Sequence, residues 1–202
     1  MVPTFDLETT LRKEGYRYIV GTDEAGRGSL SGPVVAAAVS IPEGNEEHLL
    51  GLVNDSKKMS AKKREDAYEL ITKYCNYGVQ EIGPEVIDNI NILEATKLAM
   101  KSSIEQLEYF DYVIIDGTVD LSNHIFCTHK NLIGGDSLSL SVAAASVIAK
   151  VTRDRIMDSL HAIYPIYGWV KNKGYGTKEH IDAIKIYGAT DYHRLSFNKV
   201  KT

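Results

Sequence analysis

Apolar runs punctuated by glycine and proline divide the 202-residue chain into an alternating series of predicted strands and helices. Tyr16 to Val20 is short and apolar-rich, and reads as a strand that delivers Asp23 and Glu24 at its C-terminal end. Pro33 to Ile41, bounded by Gly32 and Pro42, has the length and β-branched content of a buried strand. Tyr77–Ile82, Tyr112–Ile115 and a short run near Ile125–Thr128 supply three more strands. Between them the spacing turns helical. A lead-in helix over 6–14 ends at Gly15, and Ser60 caps a helix over 61–75 with Ala67, Leu70, Ile71 and Tyr74 on one face. From Pro84 to Leu107 a helical region breaks at Asn89–Asn91, its second half turning Leu93, Thr96, Leu98, Met100, Ile104 and Leu107 inward. Gly134-Gly-Asp-Ser137 introduces a long helix to Tyr164, and Thr177 caps a last helix ending at Gly188. The joining stretch, Pro165 to Gly176, is rich in glycine and aromatics, with Trp169 packed beside Tyr164 and Tyr167. These elements predict an α/β fold with a mixed central sheet flanked by helices and a C-terminal helical segment.

The length and a composition of 44% hydrophobic and 25% charged residues fit one ordered domain over 1–202, with a core over about 16–164 and a C-terminal segment over about 165–202. No long apolar run or charged-then-apolar start suggests a membrane span or a leader, so the expected protein is cytoplasmic; a monomer is expected. Cys75 and Cys127, far apart and without metal-type spacing, read as buried thiols, and His124 and His129 lack ligand spacing. The net charge of −4 argues against a nucleic-acid partner until its distribution is considered. Residues 1–149 carry 13 Lys/Arg against 22 Asp/Glu, whereas residues 150–202 carry 10 against 5. Lys57, Lys58, Lys62, Lys63 and Arg64 form a second basic cluster. Local patches of this kind permit phosphate-backbone binding.

The chemistry gathers around Gly21-Thr-Asp-Glu-Ala-Gly-Arg-Gly28. Adjacent carboxylates offer hard oxygen ligands to a divalent cation, and glycines let the backbone approach a ligand closely. The following segment is a strand and not a helix, which argues against a dinucleotide-binding loop. In mixed sheets, ligands collect at the carboxyl ends of strands. Asp23 and Asp116 would meet there if their strands are parallel neighbours, and Asp136, before a helix, could join them. Taken singly, Asp116 before Gly117 also reads as a turn aspartate and Asp136 as a helix cap. Asp154, flanked by Arg153 and Arg155, reads as a structural ion-pair partner.

Seven segments occur in an order that resembles the ribonuclease HII family, the type 2 ribonucleases H, over residues 17–198. They are Asp23-Glu-Ala-Gly-Arg-Gly28, Asn54-Asp-Ser-Lys-Lys58, Ile115-Asp-Gly117, Gly135-Asp-Ser137, Ala143 to Asp154, Lys173 to His180 and His193-Arg-Leu-Ser-Phe197. The resemblance implies a ribonuclease H-like fold and a metal-dependent endonuclease. Such an enzyme cuts on the 5′ side of ribonucleotides in RNA/DNA hybrids, or of single ribonucleotides in DNA duplexes, leaving 3′-hydroxyl and 5′-phosphate ends. It places the four catalytic, metal-binding acids on Asp23, Glu24, Asp116 and Asp136. The ribose-sensing loop falls on Gly26, Arg27 and Gly28, and the junction-selecting tyrosine on Tyr175. Arg27 in the loop and only 22 residues before Asp23 separate the chain from the type HIII sibling.

Physical chemistry agrees with that assignment. Four carboxylates in one pocket stay ionised together only with cations between them, here Mg²⁺ or Mn²⁺. Two such ions about 3.5–4 Å apart clamp the attacking and leaving oxygens of a displacement at phosphorus. Asp23 is the best-placed bridge. Lys57, Lys58 and the basic C-terminal segment would hold phosphates without reading sequence. The rivals are another two-metal ribonuclease H-like nuclease and a non-catalytic nucleic-acid-binding module. The tail Asn198–Thr202 carries no recognisable motif for a replication clamp.

Overall fold

A computed structural model describes residues 2–201; Met1 and Thr202 lie outside the described residues. Five strands form one mixed sheet in the order β3-β2-β1-β4-β5. They are β1 (Ile19–Ala25), β2 (Val34–Ser40), β3 (Asn76–Ile82), β4 (Tyr112–Asp116) and β5 (Thr128–Leu132). β1 pairs antiparallel with β2 and parallel with β4, so it is the strand on which the pairing changes direction. The helices are α1 (Asp6–Lys13), α2 (Ala61–Tyr74), α3 (Pro84–Ile90), α4 (Ile92–Ile104), α5 (Leu140–Ile163), α6 (Trp169–Asn172) and α7 (Lys178–Tyr187). No helix among the described residues is long and apolar enough to cross a membrane.

Side-chain alternation along the strands assigns each face. Val20, Ala36, Ala38, Val113 and Ile115 pack with Ala95, Ala99, Met100 and Ile104 of α4. On the other face Ala37 and Val39 meet Ala144, Val147 and Ile148 of α5, with Ile71 of α2 closing the same cluster. β2 is buried along its whole length because both faces are covered, which accounts for its apolar run from Val34 to Val39. α5 comes closest at β1. A Cβ built on Gly21 would lie 2.3 Å from the Ser141 carbonyl carbon and from the Val142 nitrogen, so only glycine admits the helix at that point. α1 secures the start of α5. The buried Glu8 carboxylate accepts bonds from the Ser141 amide at 2.9 Å and from the Ser139 and Ser141 hydroxyls, each at 2.7 Å. A negative group at a helix N-terminus is favoured by the aligned peptide dipoles.

Several expected boundaries shift. β1 runs on through Asp23, Glu24 and Ala25, because it pairs with β2 as far as Ala25↔Val35, so the acids lie within the strand instead of beyond it. The expected strand near Ile125–Thr128 is β5 at Thr128–Leu132. Its residues are mostly exposed because it is an edge strand held by the ladder to β4, and an apolar run marks the preceding turn instead. On α4, Leu93 and Leu98 face outward and small Ala95 and Ala99 are buried. Small residues on that face let the helix settle close to the alanine-rich β2. Cys75 and Cys127 are free and half-buried, not fully enclosed.

The C-terminal elements form their own aromatic cluster beside α5, with Trp169 fully buried against Tyr167 and Tyr164. Two buried histidines join it, and their proton positions follow from their partners. The Thr190 amide donates to His193 Nδ1 at 2.9 Å, so His193 carries its proton on Nε2 and donates it to His180 Nε2 at 3.2 Å. His180 Nδ1 then donates to the Tyr175 carbonyl at 3.0 Å, and Trp169 Nε1 also donates to His180 Nε2. Burial, with the His180 ring beside it, pushes the His193 imidazole down to about 4.

Two outcomes follow. Gly21→Ala should lose more than about 2 kcal/mol in urea unfolding, because backbone on both sides blocks relief; unchanged stability would show that α5 can retreat freely. His193 is neutral when folded and titrates near 6.5 when unfolded. Its stabilising contribution is therefore complete above that value and is lost as the pH falls towards 4. Melting curves across that window should show a loss on the order of 3 kcal/mol. The loss should be clearly smaller in His193→Gln, where the buried His180, also lowered by burial, remains to be charged, and equal losses in the two proteins would contradict the assignment.

Candidate active site

Parallel pairing of β1 with β4 puts Thr22 opposite Ile115, so the next residues, Asp23 and Asp116, end up side by side. Both follow the alternation of Gly21 and Ile114 and lie on the α5 face. Asp136 arrives from the other direction, in the 3₁₀ turn Gly135–Ser137 that precedes α5. That turn is tied to β4 by the Gly135 amide, which donates to Asp116 Oδ1 at 2.7 Å. Glu24 follows Asp23 on β1 and pairs with Arg27 at 3.4 Å.

Electrostatics mark these acids as a strained group. Asp23 is only 4% exposed, and burial, then the charges of Glu24 and Asp116, hold its carboxyl well above the usual carboxylate range. The Ser146 hydroxyl and the Glu24 amide, at 2.7 Å from Asp23 Oδ1, oppose that shift. Burial also raises Glu24, against the pull of Arg27, and raises Asp136, which in addition faces Asp55 and Asp116. Burial alone would depress the Lys57 ammonium, but Asp23, Asp136, Asp55 and Asp116 together outweigh it and raise it; its Nζ lies 3.9 Å from Asp136 Oδ2.

Oxygen-only, mutually repelling and partly enclosed, this donor set fits a hard divalent cation, which would relieve the repulsion that burial intensifies. Among the described residues, however, no three His, Cys, Asp or Glu side chains converge as a ready-made cage. Each acid instead has a protein partner: Glu24 N for Asp23, Gly135 N for Asp116, Arg27 for Glu24 and Lys57 for Asp136.

Beside the acids lies a cleft of about 490 Å³ lined by Glu24, Gly26, Arg27, Gly28, Lys57 and Tyr175, with Ser56, Arg64, Ser146 and Lys150. It brings the glycine loop and Tyr175 together: a Cβ on Gly28 would lie 4.0 Å from Tyr175 Cε1. Gly26 has φ +92°, and a Cβ there would fall 1.9 Å from Arg153 Nε, so the loop is shaped around that arginine. Another cleft, of about 400 Å³ between Tyr18, Tyr77 and Tyr109, sits at the opposite end of β1, away from the paired aspartates.

Not every expected contact is there. Lys58 leaves the cleft and pairs with Asp55 at 2.9 Å, bracing the turn that carries Lys57. The positive balance of residues 150–202 is partly internal. Arg153 and Arg194 are fully buried on backbone carbonyls, Arg155 pairs with Glu65, and Lys173 pairs with Asp158. Asp154 is an ion-pair partner as expected, but to Lys150 at 2.7 Å and Arg64 at 3.9 Å instead of to its arginine neighbours. Sequence reading passed over Ser146, Lys150 and Arg153. Their i, i+4, i+7 spacing on α5 was the available signal, a polar stripe on a small-residue helix.

A family model described as Ribonuclease HII matches residues 20–200. The ribonuclease HII of Wolbachia pipientis subsp. Culex pipiens (strain wPip) is 45% identical over 200 residues, covering 98% of each chain. That of Bacillus subtilis (strain 168) is 48% identical over 198 residues, 96% of this chain and 75% of that protein. Among solved structures, ribonuclease HII of Archaeoglobus fulgidus, determined in complex with PCNA, superposes with a TM-score of 0.78 at 27% identity, covering 90% of this chain and 95% of that one. Ribonuclease H2 of Pyrococcus horikoshii OT3 gives 0.77 at 26% identity, covering 91% and 95%. The fold is ribonuclease H-like.

Neutralising Asp23 tests the electrostatic picture without an activity assay. In chelator at neutral pH, Asp23→Asn should melt higher than wild type by an amount on the order of 1 kcal/mol, since it removes a buried, repelled charge. Added Mn²⁺ should stabilise wild type more than the variant. A lower melting temperature for the variant in chelator would contradict the repulsion.

Proposed function

The chain belongs to the ribonuclease HII family, and from that premise we propose that it hydrolyses the phosphodiester on the 5′ side of ribonucleotides in RNA/DNA hybrids and of single ribonucleotides in duplex DNA. The ends left are a 3′-hydroxyl and a 5′-phosphate. The observation that carries this reading is the in-register placement of Asp23 beside Asp116, with a glycine loop and Tyr175 facing one another across the adjoining cleft.

Asp23, Glu24, Asp116 and Asp136 would hold two divalent ions, Mg²⁺ or Mn²⁺. When bound, these supply the positive charge that favours an attacking water and a departing 3′-oxygen. The protein's own part is placement. β1 and β4 fix two of the acids through their ladder, and the Gly135–Asp116 bond sets the turn that carries Asp136. Gly26, Arg27 and Gly28 present backbone groups to a ribose 2′-hydroxyl, which is both donor and acceptor and is what separates RNA from DNA at one nucleotide. Tyr175, 42% exposed, offers a ring face to the adjacent sugar. Lys57 reaches the substrate phosphates, and Lys58 acts by holding Asp55 and the turn between them.

Duplexes carrying no, one or four ribonucleotides, incubated with Mg²⁺ or Mn²⁺, test the reading. Cutting should require a ribonucleotide, stop with chelator, and fall at least roughly a hundredfold in Asp23→Asn. Equal cutting of the all-DNA duplex, or full activity in Asp23→Asn, would sink it.

A further inference from the structure

α5 sends one fully buried cation into the space between the two halves of the proposed ribonucleotide reader. The Arg153 guanidinium makes three bonds, all to backbone carbonyls: Nε to Pro33 at 2.9 Å, Nη2 to Ser31 at 3.1 Å and Nη1 to Lys173 at 2.8 Å. The first two carbonyls continue the glycine loop, and the third lies two residues before Tyr175. Its central carbon lies 5.6 Å from the centroid of the Tyr175 ring, within the range of cation–π attraction. Arg194, the other fully buried arginine among the described residues, is a useful contrast. Its bonds go to Gly32 and Arg27, so it braces the glycine loop alone.

A buried charge without a carboxylate is expensive, and packing alone would be served as well by an apolar side chain. What an arginine provides here is a planar fork that fixes several acceptors at set angles. Those acceptors belong to two separate loops. Gly26 leaves no room for the fork to move, since any side chain there would overlap Arg153 Nε.

We infer that Arg153 is a positioning residue that sets the separation between the ribose-sensing loop and Tyr175, and through it the preference for a ribonucleotide–deoxyribonucleotide junction. The inference rests on the roles proposed above for Gly26 to Gly28 and Tyr175. Because Arg153 touches neither substrate nor metal in this arrangement, its loss changes where the enzyme cuts and not only how fast.

The test uses a duplex with four consecutive ribonucleotides, on which the distribution of cuts along the tract is read beside kcat/KM for a single-ribonucleotide duplex. Wild type should concentrate its cuts at the junction. Arg153→Lys, which keeps the charge and loses the fork, and Arg153→Gln, which keeps a planar amide and loses the charge, should both spread the cuts. Both should also lower kcat/KM on the single ribonucleotide by roughly tenfold or more, as expected of a misplaced substrate contact. Melting curves run alongside. An unchanged distribution in folded variants, even with a uniform rate loss, overturns the inference, and so does the absence of a cooperative melt in both, which would make Arg153 a folding determinant only. If wild type itself does not cut at ribonucleotides, the failure belongs to the proposed function instead.

Discussion

The close approach of α5 to β1 is the constraint on which the rest of the structure depends. Where the helix meets Gly21, its backbone occupies the space a Cβ would take, which fixes both the depth and the rotation of the helix. From that contact one stripe of α5 runs along the site. Ser146 and Lys150 line the cleft, and Arg153 lies under the glycine loop. Glu8 and the serines at the start of α5 hold the helix at the same end as the Gly21 contact. Close packing of this kind transmits position with little slack.

Charge is managed on the same plan. The acids at the ends of β1 and β4 are forced together by backbone pairing, which is indifferent to their repulsion, and burial raises the proton affinity of Asp23. Cations nearby are used in two ways. Lys57 faces the acids from the surface, while Arg153 and Arg194 spend their charge on carbonyls to stiffen loops. A net charge of −4 therefore says little about the surface a nucleic acid meets.

Much of this was legible in the sequence, for physical reasons that differ from element to element. Asp23 and Asp116 could be placed because each closes an apolar run, and carboxyl ends of parallel strands gather at one edge. The break at Asn91 was legible because asparagine is a good helix cap: its side chain accepts from the Leu93 and Glu94 amides and opens α4. β5 was misplaced because an edge strand needs no apolar alternation. Leu93 and Leu98 were misassigned because size suggested burial, whereas the alanine-rich strand beneath α4 demanded small residues. In sequence, Arg153 beside Asp154 reads as half of a helical ion pair; only the tertiary structure shows three carbonyls awaiting it.

The proposed function requires the edge formed by β1, β4 and the turn before α5 to hold divalent metal. Anomalous diffraction from crystals equilibrated with Mn²⁺ measures this most directly. The account predicts peaks within coordination distance of the Asp23 carboxylate and of Asp116 or Asp136. Mn²⁺ bound elsewhere on the protein, with none at Asp23 and Asp116, would contradict it.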